Sequence, residues 1–346
     1  MMVSRHRLPA LDPSKNVCHS PHVVLLGAGA SLAALPEGDA AGKRLPTMNN
    51  FVEVVGLESI LDESGMNWKG RDFEQVFSGL MQAGGGDPLV KRIERAIYDY
   101  FADLQLPETV TLYDELLLSL RNKDLVATFN WDPFLLQAYR RNLCVKRLPQ
   151  ILFLHGNVGV GACNNDRCKG PVHEPCMKCG EPLEPVRLLY PVTEKNYNDD
   201  PFIKGEWEIF SAHLEHAYLL TIFGYSAPVA DVEAQRIMRD IWASNLTREL
   251  AQISIVDIKD PEEIRGTWEA FFVRDHYGIS SSLDHSQLFN HPRRSCDAFA
   301  MASLQQQPCH DNPLPRGSSL AELHEFVAPL VAEEEALESD GAPFNC

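Results

Sequence analysis

The sequence predicts an α/β protein: a doubly wound parallel (Rossmann-like) sheet with a helical insertion and a small four-cysteine zinc module. Three observations predict it. Short aliphatic runs recur along the chain and alternate with stretches of helical spacing. Four of these runs end in glycine or polar residues, where a doubly wound sheet binds its ligands. Four of the nine cysteines crowd between Cys163 and Cys179, while the other five are scattered.

Residues 1–20 read as a polar leader. The run His22-Val23-Val24-Leu25-Leu26 reads as a strand buried on both faces, as in a parallel sheet. It passes directly into Gly27-Ala28-Gly29-Ala30-Ser31, small residues that allow a tight turn and close approach of a phosphate to main-chain N–H groups. The third glycine of the dinucleotide fingerprint is missing, so the turn by itself fits either a pyrophosphate site or a tight corner. Leu35 to Asn50 holds Pro36, Gly38, Gly42 and Pro46 and reads as a loop long enough to be a flap.

A helical insertion is expected over about residues 40–121. Phe51, Val54 and Val55 repeat at helical spacing. Leu89, Ile93, Ile97, Tyr98 and Phe101 do the same after Asp87, read as a cap, and Pro88. Further strands are expected at Leu125 to Phe129, Ile151 to Leu154, Ala217 to Phe223 and Ile253 to Val256, with the fold restarting over Val186 to Val192. Helices are expected from about Pro201 to His216 and after Asp231. Residues 296–346 form a tail: a turn-rich stretch, then an apolar stripe at Leu323, Phe326, Val327, Leu330 and Val331, broken by Pro329 and ending in Glu333-Glu334-Glu335. That helix reads as packing on the core with a solvated face, with a partner-binding helix as the alternative.

The formal net charge of −17 argues against general nucleic-acid binding, which needs clustered Lys and Arg. The first residues lack the apolar core of a signal peptide, and no run approaches the roughly 20 apolar residues of a membrane span. A cytoplasmic location and no membrane association are expected. Nine cysteines with one tight cluster then point to metal before disulfides. Cys163-x4-Cys168-x7-Cys176-x2-Cys179, within a module at about 158–184, supplies four thiolates on short turns for tetrahedral structural zinc, with His173 as an alternative ligand.

The four strand ends are Gly27 to Ser31, Asn130-Trp131-Asp132, His155-Gly156 and Gly224-Tyr225-Ser226. In this order, with the cysteine pairs between them, they resemble the sirtuin superfamily of NAD-dependent enzymes. LYPVTEKNYNDDPFIKGEW and AYLLTIFGYSAPVAD are closer to the sirtuin-like NAD-consuming proteins of microbial anti-phage defence. Leu32 to Arg44 lacks the Gly-Ile-Pro-Asp-Phe-Arg-like text of the deacylases. Phe129 stands where they carry glutamine, and Val186-Arg187-Leu188-Leu189-Tyr190 replaces the strand that lines their acyl-lysine channel.

The resemblance implies a sirtuin-like NAD-binding catalytic domain over 21–295, with NAD+ as substrate and zinc as structural metal. It implies cleavage of the nicotinamide–ribose bond through an oxocarbenium-like transition state. Asn130 would hold the ribose or the attacking water, Asp132 the nicotinamide carboxamide, and His155 would act as base. Gly27, Ala28, Gly29, Ala30 and Ser31 would hold the pyrophosphate with Gly224 and Ser226, and Asp257 the adenosine ribose. The implied activity is an NAD+ hydrolase giving nicotinamide and ADP-ribose or cyclic ADP-ribose, an effector of defence by NAD depletion. The alternatives are a protein deacylase or ADP-ribosyltransferase and, in another class, a non-enzymatic NAD or ADP-ribose sensor. Control is expected from homo-oligomerisation or from a partner, a ring-forming HerA-type ATPase or an Argonaute-type protein.

Overall fold

The structure is a computed structural model that describes residues 11–12, 17–84, 88–165, 168–192, 197–228 and 231–340. A two-residue pair, β1 (Leu11–Asp12) and β2 (Val17–Cys18), precedes β3 (His22–Leu26) and α1 (Ala28–Ala34). The insertion follows as α2 (Phe51–Val55), α3 (Glu58–Glu63), α4 (Phe73–Gly84), α5 (Pro88–Ala102) and α6 (Leu112–Leu118). Then come β4 (Leu125–Thr128), α7 (Phe134–Arg141) and β5 (Gln150–Phe153). The cysteine module carries β6 (Val160–Ala162), β7 (Lys169–Pro171) and β8 (Glu184–Pro185). The chain continues with α8 (Pro201–His216), β9 (Leu219–Phe223), α9 (Val232–Ser244), β10 (Gln252–Val256), α10 (Pro261–Trp268) and β11 (Tyr277–Ser280). It closes with α11 (Gln287–Asn290), α12 (Ser295–Gln305) and α13 (Leu320–Asp340).

Six strands form one sheet in the order β11-β10-β9-β3-β4-β5, every neighbouring pair parallel. Counted along the chain this is 3-2-1-4-5-6, the dinucleotide-binding order, with the switch point between β3 and β9. The apolar runs of β3, β4 and β9 are buried throughout because helices cover both faces. Val24 and Leu26 face a core shared with the insertion and α7. Val23 and Leu25 face one shared with α8, α9, α10 and α12. Side-chain caps ahead of a proline set the starts of α8 and α10: Asp200 accepts from Phe202 and Ile203 N–H ahead of Pro201, and Asp260 accepts from Glu262 N–H ahead of Pro261.

Several expectations need correction. The segment 186–192, where the fold resumes after the cysteine module, has irregular backbone and crosses His155, where Leu189 N–H donates to His155 O. The sheet has a sixth strand, β11, a short edge strand too polar to stand out. The turn-rich reading of 296–306 misses α12, which buries Cys296 and Ala300 in the core. Pro329 does not end α13: the helix continues through it to Asp340, at the cost of the one backbone hydrogen bond that its ring cannot donate. Glu334 in the acidic run is not solvated. It is buried against Arg293, which bridges to both its carboxylate oxygens at 2.6 and 2.8 Å. The apolar stripe of α13 packs on the protein's own core through Leu323, Val327 and Val331. The expected cap at Asp87 lies outside the described residues, as do most of 1–20.

Candidate functional site

Backbone meets backbone at the switch point. Gly27 N–H donates to Phe223 O at 3.0 Å and Gly29 N–H to Gly224 O at 2.9 Å. A Cβ on Gly27 would stand 2.5 Å from Gly224 O, and one on Gly224, whose φ is +63°, would stand 2.2 Å from Ala30 N. These glycines therefore lock the β3–α1 turn onto the exit of β9. Two of the turn's N–H groups are occupied by that contact. Ala28 is exposed at the first position of α1, and no bond among the described residues takes its N–H.

Around the turn lies one buried polar cluster. Asn130 Nδ2 donates to Gly27 O and to Ser31 Oγ, each at 2.9 Å. Ser31 donates to Asp132 Oδ2 at 2.7 Å, so the Tyr113 hydroxyl, 2.6 Å from Ser31 Oγ, is the donor of that pair. Asn157 Nδ2 clamps the segment from behind through Asn130 O (3.3 Å) and Asp132 O (2.6 Å). Asn130 and Asp132 are only 8% and 6% exposed. Burial pushes the Asp132 carboxyl up to about 6, against the lowering effect of the Ser31 bond. Both protons of the Asn130 amide are held inward, and no bond among the described residues takes its Oδ1.

A second cluster lies beside it. His155, 5% exposed at the end of β5, places Nε2 3.1 Å from Tyr197 Oη and 3.9 Å from Asp231 Oδ1. Tyr225 donates to Asp231 Oδ2 at 3.1 Å. Phe129 stands between, its ring 4.5 Å from that of His155 and 4.4 Å from that of Tyr225. Burial raises the Tyr197 and Tyr225 hydroxyls well above the ordinary tyrosine value, so both stay protonated. A groove of ≈ 490 Å³ between α8 and α9 reaches this cluster at Tyr197 and Trp207.

The structure thus gathers Gly27 to Ser31, Gly224, Asn130 and Asp132 at one point, with His155 in the neighbouring cluster. Ser226 is exposed just beyond Tyr225. Asp257 is half-buried past β10, two strands from β3, its Oδ1 accepting from Lys259 N–H at 3.0 Å. Five partners were not anticipated as site residues: Tyr113, Asn157, Tyr197, Asp231 and Tyr225. Tyr225 sits inside a strand-exit motif, and Asn157 follows His155 by two residues, so both carried a sequence signal. Tyr113 and Tyr197 carried none, because only tertiary packing brings them in.

In the cysteine module the Sγ atoms of Cys163, Cys176 and Cys179 all lie within 4.8 Å of one another, with Cys163 and Cys179 at 3.5 Å. Zn–S bonds of about 2.3 Å put tetrahedral sulfurs about 3.8 Å apart, so this donor set fits zinc. Backbone N–H groups of Cys179 and Lys178 aim at the Cys176 sulfur and lower its thiol to about 7, toward the thiolate a metal needs. Cys168 packs against the group but stands outside the tight set of three, holding Cys163 N–H through its carbonyl at 2.8 Å. His173 is exposed and also lies outside it. The module is tied to the main sheet by Lys169, whose Nζ meets both Glu206 oxygens at 2.7 Å and Ile151 O at 2.9 Å. No helix among the described residues is long and apolar enough to cross a membrane.

No family model and no curated protein matches the chain. Among solved structures it is similar to a Sir2 homologue in complex with NAD, at 15% identity over 87% of this chain and 98% of that one, TM-score 0.39. It is similar to a Sir2 enzyme solved for its mechanism and regulation, at 17% identity over 90% and 94%, TM-score 0.36. A third is Sir2 with an inhibitor, 2′-O-acetyl-ADP-ribose and a deacetylated p53 peptide, at 15% identity over 83% and 94%, TM-score 0.35. The strand order and the contacts above, rather than these loose overlaps, define the fold and the candidate site.

Proposed function

We propose that the protein is an NAD+ hydrolase that cleaves the nicotinamide–ribose bond and serves as an effector of anti-phage defence by depleting NAD. One observation carries the reading: Ser31 joins the glycine turn, Asn130 and Asp132 in a single network at the switch point of a 3-2-1-4-5-6 sheet. A dinucleotide laid across that crevice has its pyrophosphate at the Gly27–Ser31 turn, where the Ala28 N–H is open.

Asn130, fixed through its amide nitrogen, offers Oδ1 to a ribose hydroxyl or the attacking water. Asp132 offers an acceptor to the carboxamide once the Ser31 hydroxyl turns aside. His155, oriented by the 3.1 Å contact of its Nε2 with Tyr197 Oη, takes a proton from water or a ribose hydroxyl. Nicotinamide departs neutral, which suits a site without a dedicated acid. Ser226 and Asp257 are proposed to support the pyrophosphate and the adenosine ribose.

Such an effector needs control, and self-association or a partner such as a ring-forming ATPase or Argonaute-type protein is the proposed source. The test is incubation of purified protein with NAD+, with and without an acylated peptide, followed by product separation. Nicotinamide and ADP-ribose (or its cyclic form) without peptide support the hydrolase. Nicotinamide release only with peptide favours the deacylase, and binding without turnover favours the sensor.

A further inference from the structure

Asp231 stands at the start of α9, yet its side chain does not do what those of Asp200 and Asp260 do. Those two accept from helix N–H groups and so cap α8 and α10. The Asp231 side chain makes no capping bond among the described residues. It turns inward and is 4% exposed, with Oδ2 accepting from the Tyr225 hydroxyl at 3.1 Å and Oδ1 3.9 Å from His155 Nε2. Forgoing a cap costs helix stability, and burying a carboxylate costs more unless donors or a positive charge meet it. The group that a positive charge would reach here is the His155 imidazole.

The N-terminus of α9 and the Tyr225 hydroxyl both favour the negative form of Asp231. Its charge extends across the cluster: after burial, it is the largest influence raising the Tyr197 and Tyr225 hydroxyls. Around His155 the titratable groups among the described residues are Tyr197 ahead of α8, Tyr225 after β9 and Asp231, with Glu233 of α9 adding a weaker negative charge at Tyr197. The remaining neighbours are aromatic: Phe129 lies 4.5 Å from the His155 ring and Trp207 4.7 Å from that of Tyr197. Charges in such dry surroundings act on one another more strongly than in water.

We propose that Asp231 is a positioning residue for His155, whose carboxylate balances the positive charge that the imidazole acquires on taking a proton. The role in turnover rests on the hydrolase reading of this cluster. In that reaction a water oxygen bonds to the anomeric carbon and its proton passes to His155. The electron pair of the breaking C–N bond leaves with neutral nicotinamide, and His155 then returns the proton to solvent. Whichever ring nitrogen takes the proton, the charge spreads over the ring and forms beside Asp231 Oδ1, an attraction that needs no in-plane hydrogen bond. Asp231 itself touches no reacting atom in this scheme.

The test has two readouts on the full-length, zinc-loaded protein. The first is the titration of His155 without NAD+, followed by NMR of ring-labelled histidine and assigned with His155→Gln. Asp231→Asn keeps an acceptor for Tyr225 but removes the charge, so the imidazolium is less favoured and the midpoint should fall by about one pH unit or more. The second is nicotinamide release: kcat should fall by on the order of 10- to 100-fold with KM nearly unchanged. Asp132, which titrates near 6, is present in both proteins and cancels in the comparison. If the amide variant does not fold, Asp231→Ser, a favoured residue at a helix start, should give the same shift. An unchanged His155 midpoint overturns the proposal, whatever happens to the rate. A wild type that releases no nicotinamide sinks the hydrolase reading instead, and the titration still decides the pair.

Discussion

The two polar clusters at the strand ends are built on different plans. The Ser31–Asn130–Asp132 cluster is made of residues within a few positions of strand ends, and Tyr113 and Asn157 close it from behind. Its donors are nearly all matched, and its one carboxyl is held up near 6 by burial. The His155 cluster borrows its partners from farther away: Tyr197 ahead of α8 and Asp231 at the start of α9. Its contacts are longer, 3.1 and 3.9 Å. In the proposed hydrolase the first is the preformed seat and the second supplies the proposed base, whose orientation depends on connecting segments.

The largest effects should come from breaking either half. Asn130→Ala and His155→Ala should each lower nicotinamide release by on the order of 10² to 10⁴ while the far-UV spectrum stays that of the folded protein. Cys176→Ser should act on the scaffold instead. Zinc content measured by elemental analysis should fall from about one per chain toward none, and stability with it by on the order of several kcal/mol.

The next effect sharpens the contrast through pH. A carboxyl raised from an unfolded value near 3.8 to about 6 binds its proton more tightly when folded. Its stabilising contribution is complete below about pH 4 and lost as pH rises through 6. A shift of that size corresponds to about 3 kcal/mol. Asp132→Asn should therefore flatten the stability–pH curve between 4 and 6 and be more stable than wild type at pH 8, by chemical denaturation, while losing turnover. An unchanged curve would mean that Asp132 is solvated. Smallest is Tyr197→Phe, which removes one hydrogen bond to His155: a loss of at most about tenfold in kcat with little change in stability.

The sheet was legible in the sequence because both-face burial leaves no room for polar residues. His22 to Leu26 and Leu219 to Phe223 read as near-continuous apolar runs. β11 was not, since an edge strand spelling Tyr-Gly-Ile-Ser carries half the signal. α12 was hidden for another reason: its buried face includes Ser295 and Asp297, and Asp297 is paired with Arg121, from the loop after α6, at 2.5 Å. Of the site, the residues at strand ends could be named in advance, because topology dictates where strands end. Tyr113 and Tyr197 could not, because their roles exist only once the insertion and the segment before α8 dock on the sheet.

The central claim is that the strand-end clusters cut NAD+. It is tested most directly by measuring nicotinamide released from NAD+ by purified wild type, Asn130→Ala and His155→Ala under identical conditions, with any activating partner present in all three. The account predicts release by wild type and near-complete loss in both variants with folding intact. Full release by both variants would contradict it.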